Sequence, residues 1–122
     1  MKNYVVIRRS GGFYHVFDGD AIIISYLTGY KIVNDRCGFP INSLNKVLNI
    51  LEDNKVNYLV RENMKDVNTK NYKKNNKYDK ILDMGKKKLD VDYRINSIIE
   101  KIHNLSYDKL CGLLDDIEGY IE

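Results

Sequence analysis

The stretch "RRSGGFYHVFDGDA", residues 8–21, contains the local signals that decide the fold. It overlaps a β-rich run, "NYVVIRR" (3–9), and contains a second run of aromatic and β-branched residues, "FYHVF" (13–17). The Ser-Gly-Gly tripeptide between the two runs is typical of a tight hairpin turn. The sequence therefore predicts two paired strands, with Phe13 placed directly after the turn.

The pattern of a compact α/β unit continues to residue 62. Leu44, Val47, Leu48 and Leu51 recur at the spacing of one helix face. The other elements are predicted from start and stop signals. A helix capped by Asp18 or Asp20 and ended by Gly29 is followed by a strand at 30–33 and by turns at 34–40. A second helix begins at Asn42 or Ser43, and a strand follows at 56–61. Residues 1–62 are thus expected to fold as β-β-α-β-α-β.

The second half of the chain has a different character. Residues 63–77, "NMKDVNTKNYKKNNK", are polar, basic and rich in asparagine, which predicts a linker or an exposed loop. From residue 78 the apolar pattern becomes helical, with an interruption at Gly85, and another helix begins after Ser106. We expect residues 78–122 to form an αα-hairpin that packs on the α/β unit or on another chain.

Length and composition limit the class of protein. The 122 residues fit one domain, or one domain with an appendage, and 43% of them are hydrophobic. No apolar run reaches the roughly 18 residues of a membrane span. Cys37 and Cys111 match no metal or redox spacing, and His15 and His103 are the only histidines. We therefore expect free thiols, a cytoplasmic location, and neither a metal nor a cofactor.

The net charge of +3 is distributed unevenly along the chain. Residues 61–88 carry ten Lys or Arg against four Asp or Glu, whereas residues 89–122 carry three against eight. A basic middle segment favours contact with a polyanion, and an acidic end favours a solvated or masking role.

The second predicted strand presents its aromatic residues in a defined way. Because side chains alternate along a strand, Phe13, His15 and Phe17 share one face. Two interpretations follow from this pattern. Phe13 and Phe17 could face the core, with Tyr14 or His15 in solvent; alternatively, an aromatic side chain on a glycine-led hairpin could insert between nucleic-acid bases.

The segments "GGFYHVFDGDAIIISYLTGYKIV" (11–33) and "CGFPINSLNKVLNILEDNKVNYLVRE" (37–62) resemble the N-terminal mismatch-recognition domain of the MutS DNA mismatch-repair proteins. Several motifs occur in the family's order over residues 4–62, about half of the chain. The matching positions are Gly11, Phe13, Tyr14, Phe17, Asp20, Ala21, Leu27, Gly29, Cys37, Gly38, Pro40, Leu44 and Glu62.

The resemblance implies a mixed sheet flanked by helices and a DNA-binding role. It places Phe13 at the position of the family's mismatch-stacking phenylalanine. His15 stands where the family has a glutamate that bonds the mispaired base, and Gly12 stands where an aspartate is usual. The chain has no phosphate-cradling G-x-x-x-x-G-K-[ST] motif, so the ATPase of the family is not expected.

These observations lead to one functional expectation. The chain is expected to be a non-catalytic module that binds mismatched or distorted duplex DNA through an aromatic wedge and basic side chains. The nucleic-acid-binding residues we expect are Phe13, Tyr14, His15, Arg8, Arg9, Lys70, Lys73 and Lys74. The competing interpretation is a lysine-rich solvated face, with the two arginines protecting an exposed edge strand.

Two other classes of function stay open at this point. A nuclease would need clustered carboxylates around Mg²⁺, but Asp18 and Asp20 are better explained as helix caps, and no nuclease motif is present. The alternative to DNA binding is a protein-interaction module that keeps the fold and docks a partner, or a second copy, through the C-terminal helices.

Overall fold

Five β-strands form one mixed sheet in the computed structural model, which describes residues 3–71 and 75–122. The elements are, in chain order, β1 (Tyr4–Ser10), β2 (Phe13–Phe17), α1 (Gly19–Thr28), β3 (Arg36–Pro40), a 3₁₀ turn (Ile41–Ser43), α2 (Leu44–Asp53), β4 (Asn57–Glu62), β5 (Lys65–Lys70), α3 (Lys77–His103) and α4 (Tyr107–Ile121). The chain divides into two compact units, residues 1–88 and residues 89–122. The expectation of a mixed α/β class is confirmed at this level.

The strands lie in the order β3-β2-β1-β4-β5. The parallel pair β1–β4 sits in the middle, and antiparallel neighbours flank it on both sides. The β1–β2 hairpin closes with a two-residue loop, since Ser10 pairs with Phe13. Gly11 has a φ of 61°, a left-handed conformation that glycine adopts without strain. The Gly-Gly sequence thus fixes the register that puts Phe13 at the first position of β2.

The core lies between one face of the sheet and the helices α1 and α2. The strands contribute alternate residues to it, and α2 contributes the stripe that the sequence predicted, of which Val47, Leu48 and Leu51 are buried. The sheet residues in this core are Val5, Ile7, Tyr14, Val16, Cys37, Phe39, Tyr58 and Val60. Burial raises the pKa of the Cys37 thiol, and both cysteines are free.

The first turns of α3 belong to the same unit and are held to α1 by a buried hydrogen bond. The hydroxyl of Tyr78 donates to Asp20 Oδ1 at 2.6 Å, and the Val6 amide donates to Asp20 Oδ2 at 3.1 Å. Burial, followed by the bond to Asp20, raises the pKa of Tyr78 far above its usual range, so the hydroxyl stays a donor. Asp20 therefore does not cap α1 as predicted; it lies inside the helix, and Asp18, at the N-cap position, makes no side-chain capping bond.

Gly85 does not interrupt the helix, contrary to the sequence prediction, because α3 runs unbroken through it. A Cβ at this position would lie 2.7 Å from Cγ2 of Ile22 and 3.3 Å from its carbonyl oxygen. The glycine is thus explained by the close approach of α3 to α1.

The structure corrects the sequence prediction at three other segments. Residues 30–33 form no strand, apart from a single bridge between Val33 and Arg36. The predicted turn at 34–40 instead contains the edge strand β3, and the predicted linker at 63–77 contains the edge strand β5. β5 is exposed along its whole length, so it has no apolar face that a pattern could reveal.

Residues 89–122 comprise the second part of α3 and all of α4, and they agree with the prediction of two helices. None of these residues is buried. Within the described chain, no helix is both long and apolar enough to cross a membrane.

Candidate nucleic-acid interface

Three aromatic rings lie in a row on the face of β2 that points away from α1 and α2. We call Phe13, His15 and Phe17 the aromatic strip. The ring centroids of Phe13 and His15 are 6.4 Å apart, and those of His15 and Phe17 are also 6.4 Å apart. Phe13 is 51% exposed and Phe17 42% exposed, and neither belongs to the core. Of the chain's three phenylalanines, only Phe39 is buried.

The structure excludes the interpretation in which Phe13 and Phe17 face the core. Tyr14 and Val16 point into the core, and the strip points outward. Both faces of β2 are apolar enough to be buried, so the face that enters the core is the one that α1 and α2 cover.

The central ring of the strip lies over a glycine. A Cβ on Gly38 would be 3.0 Å from Nδ1 of His15 and 3.1 Å from Cε1. Gly38 pairs with His15 across β2 and β3, so the missing side chain leaves room for the imidazole to lie against the sheet. Nδ1 is buried without a hydrogen-bond partner among the described residues. The imidazole is therefore held by packing.

Arginines flank the strip on both neighbouring strands. Arg8 of β1 pairs with His15, and Arg36 of β3 pairs with Phe17, so both side chains stand on the face of the strip. Arg61 of β4 continues the row beyond Arg8, and its Nε lies 2.8 Å from Oδ1 of Asp66. A surface cleft of about 410 Å³ lies between Arg8, Arg9, Arg61, Asn63 and Met64. This arrangement offers aromatic faces beside cationic groups, the combination that binds bases together with phosphates.

Two of the expected residues point to the opposite side of the sheet. Arg9 pairs with Tyr14 across the hairpin, and both contact Glu62. Arg9 Nη1 lies 2.7 Å from Glu62 Oε1, and the Tyr14 hydroxyl donates to the same oxygen at 3.1 Å. The bond from Arg9, followed by the bond from Tyr14, lowers the pKa of Glu62. Burial, followed by the bond to Glu62, raises the pKa of Tyr14.

This geometry corrects the expected role of Tyr14. Its side chain is 4% exposed and stacks on Phe39 at a centroid distance of 5.9 Å, so its ring has no face available to a base. Arg9 is partly exposed but engaged with Glu62. Of the hairpin residues expected to contact DNA, the structure brings together Phe13, His15 and Arg8.

Lys70, one of the three lysines expected to contact DNA, is not brought to the strip. Lys70 ends β5, which two strands separate from β2, and its Nζ lies 3.8 Å from Oε1 of Glu52. Lys73 and Lys74 lie outside the described residues.

Three residues of this surface were missing from the expected set. Phe17 follows directly from the alternation of β2, so its signal was present in the sequence. Arg36 lay in a segment predicted to be a turn, and Arg61 reaches the row through the non-local pairing of β4 with β1. No local pattern could have placed either arginine beside the strip.

The carboxylates do not form a catalytic cluster in the described part of the chain. Asp20 is 2% exposed and bonded to Val6 and Tyr78, and Glu62 is bonded to Arg9 and Tyr14. Among residues 3–71 and 75–122, no three His, Cys, Asp or Glu side chains are placed to hold a metal ion.

Comparison with protein-family models gave no match to this chain. Comparison with curated proteins gave no significant match either.

Proposed function

We propose that this chain is a non-catalytic DNA-binding module that engages mismatched or distorted duplex, with Phe13 as the residue that stacks on a displaced base. The observation that carries the proposal is the position of Phe13: it follows a tight Gly-Gly turn, is half-exposed, and stands on one face with two further rings and Arg8. The resemblance to the MutS mismatch-recognition domain supports the same residue from the sequence.

The energetics favour a distorted target. Opening a base step costs a few kcal/mol, and less where the pair is already mismatched. Stacking of a base on an aromatic side chain returns roughly 1–3 kcal/mol. A single exposed ring therefore recovers much of the cost at a mismatch, but only part of it in a perfect duplex.

The arginines supply an electrostatic attraction to phosphates that does not depend on the base sequence of the DNA. Arg8, Arg36 and Arg61 stand on the face of the strip. The strand positions paired with them include one acidic residue, Asp66. Each phosphate contact adds about 0.9 to the slope of log affinity against log salt concentration. Binding is thus expected to weaken steeply with salt, and replacing Arg8 should reduce the slope by about 1.

The test compares a labelled duplex containing one mismatch with the matched perfect duplex, by fluorescence anisotropy at two salt concentrations. Phe13→Ala is expected to lower the mismatch-to-perfect affinity ratio while weak binding to both duplexes persists. Tyr120→Ala, at a tyrosine 91% exposed on α4, is the control for loss of an aromatic side chain. An unchanged ratio in Phe13→Ala would refute the stacking role.

A second candidate function, protein–protein interaction, is favoured by residues 89–122. This unit has no buried side chain, and two short helices rarely form a sufficient core on their own. Its exposed large hydrophobic residues are Leu89, Val91, Tyr93, Ile95, Ile98, Ile99, Leu105, Tyr107, Leu114, Ile117, Tyr120 and Ile121.

A second copy of the chain is the first partner to test, by light scattering. If these helices pair between copies, the mass exceeds the 14.3 kDa of one chain. Ile98→Glu, at a side chain 54% exposed, should then restore the monomer, whereas Asn96→Glu on the same helix should not. A monomeric wild-type chain at high concentration would count against self-association.

A further inference from the structure

We infer that the aromatic strip is a binding platform for single-stranded DNA, on which two or three successive unpaired bases stack. The inference rests on the proposed function, because it uses the same face and Phe13, and it goes further by naming an unpaired strand as the ligand. It also gives Phe17 and Arg36 a role that a wedge at Phe13 alone would not require.

The spacing of the rings selects an unstacked strand. Consecutive centroids along the strip are 6.4 Å apart, close to the rise of two strand residues. Nucleotides along one strand of B-DNA advance by about 3.4 Å. Bases of a stacked duplex therefore cannot meet successive rings one to one. A single strand can, since its backbone extends when its bases separate.

Neighbouring rings of the strip are tilted relative to each other by about a third of a right angle. The planes of Phe13 and His15 differ by 31°, and those of His15 and Phe17 by 36°. Bases lying on neighbouring rings can therefore follow one another along β2 with modest tilts. Gly38 contributes to this arrangement because it lets the middle ring lie against the sheet.

The two phenylalanine rings of the strip lie outside the core of the sheet and helices. Phe13 and Phe17 belong neither to the buried core nor to the partly buried side chains packed against it. Two half-exposed phenylalanines on one short strand form an apolar surface whose rings are open to stacking. Aromatic residues spaced along an exposed sheet are a recurring way of holding unpaired bases.

The charges fit a strand that runs along the strip. Arg36 stands on the β3 side, next to Phe17, and Arg8 stands on the β1 side, next to His15. The described structure records no ion pair for either arginine, so both guanidinium groups are available to phosphates. The charge complementarity therefore favours a nucleic acid over an apolar peptide on this face.

The test measures the affinity of the full chain for three labelled probes: a twelve-nucleotide oligothymidylate, a perfect duplex of the same length, and a duplex with one mismatch. The single strand is expected to bind at least tenfold more tightly than the perfect duplex. Phe13→Ala and Phe17→Ala should each weaken single-strand binding by about 5- to 150-fold, the range for loss of one stacked base. Phe17→Leu should weaken it comparably, since leucine keeps the apolar bulk but lacks a ring face.

The outcomes separate this inference from the proposed function. If the mismatched duplex is preferred, the single strand is not, and only Phe13→Ala has an effect, the platform is refuted and the wedge stands. If no probe binds at low salt, both fail. Tighter binding of a twelve-nucleotide oligouridylate than of the DNA strand would overturn the assignment to DNA. Thermal melts of each variant check that the fold is retained.

Discussion

The buried bond between Tyr78 and Asp20 gives a sharp prediction about what holds α3 to the α/β unit. Tyr78→Phe removes one hydroxyl and keeps the ring, which is 7% exposed. The lost bond is short, 2.6 Å, and its acceptor Asp20 is 2% exposed. Since the oxygen left behind is shielded from water, its lost partner is not fully replaced.

The expected cost follows from the kind of bond. A hydrogen bond to a charged group contributes about 1.5–3 kcal/mol net. The Val6 amide still donates to the other oxygen of Asp20, so the carboxylate is not stripped of all its partners. We therefore expect Tyr78→Phe to lower the free energy of unfolding of the unit 1–88 by about 2 kcal/mol.

The assay is native-state hydrogen exchange of the slowest β1 amides, because these report the opening of the unit that contains the bond. Val5 and Ile7, both fully buried, are suitable probes. Tyr120→Phe removes a hydroxyl from a side chain 91% exposed and serves as the matched control. If both variants leave the protection of these amides unchanged, the bond does not anchor α3, and the account of this junction is wrong.

Three further predictions concern single positions. Gly85→Leu should destabilise the unit 1–88 by about 1–3 kcal/mol through overpacking. The control is Gly112→Ala, whose new Cβ has nothing within 4 Å and which should gain up to about 1 kcal/mol of helix propensity. Equal effects of the two substitutions in thermal melts would contradict the close contact between Gly85 and Ile22. Gly38→Val should displace the His15 ring and weaken DNA binding in anisotropy titrations without lowering the melting temperature by more than a few degrees; unchanged affinity would count against a role for this ring. The pKa of Glu62 is lowered in the fold, so its carboxylate contributes stability above its unfolded pKa of about 4.3, and this stability is lost as pH falls through the folded pKa. The urea midpoints at pH 7 and pH 3 should therefore differ less in Glu62→Gln than in the wild type. An identical difference in the two proteins would show that Glu62 does not stabilise the fold at neutral pH.

The sequence predicted the parts of the fold whose signals are local. The Gly-Gly turn fixed β1 and β2, the stripe of α2 identified its buried face, and Gly29 ends α1 in the left-handed conformation expected of it, with a φ of 83°. The order of the sheet was not accessible in this way, because the pairing of β1 with β4 joins segments about fifty residues apart.

Neither edge strand, β3 or β5, was predicted from the sequence, and each has a physical reason for this. β3 is short, contains a glycine and ends in Pro40, a residue that sheets tolerate at an edge. β5 has no buried side chain, and its turn places Asn63 and Met64 at positive φ, of 51° and 61°. Asparagine suits such a turn, but methionine does not signal it.

The candidate site was predictable in part. Alternation put Phe13, His15 and Phe17 on one face, but it could not say which face the helices cover. Tyr14 shows the consequence, since a tyrosine beside the turn was expected to be available to DNA and is buried against Phe39. The flanking arginines come from distant strands, so only the folded sheet brings them to the strip.

The most direct test of the central claim is a map of where DNA binds. Backbone amide shifts are recorded by NMR while a duplex with one mismatch is titrated into the full chain. We expect the largest shift changes on residues 8–17 and 36–40, around the aromatic strip. Changes confined to residues 89–122, or no changes at low salt, would contradict it.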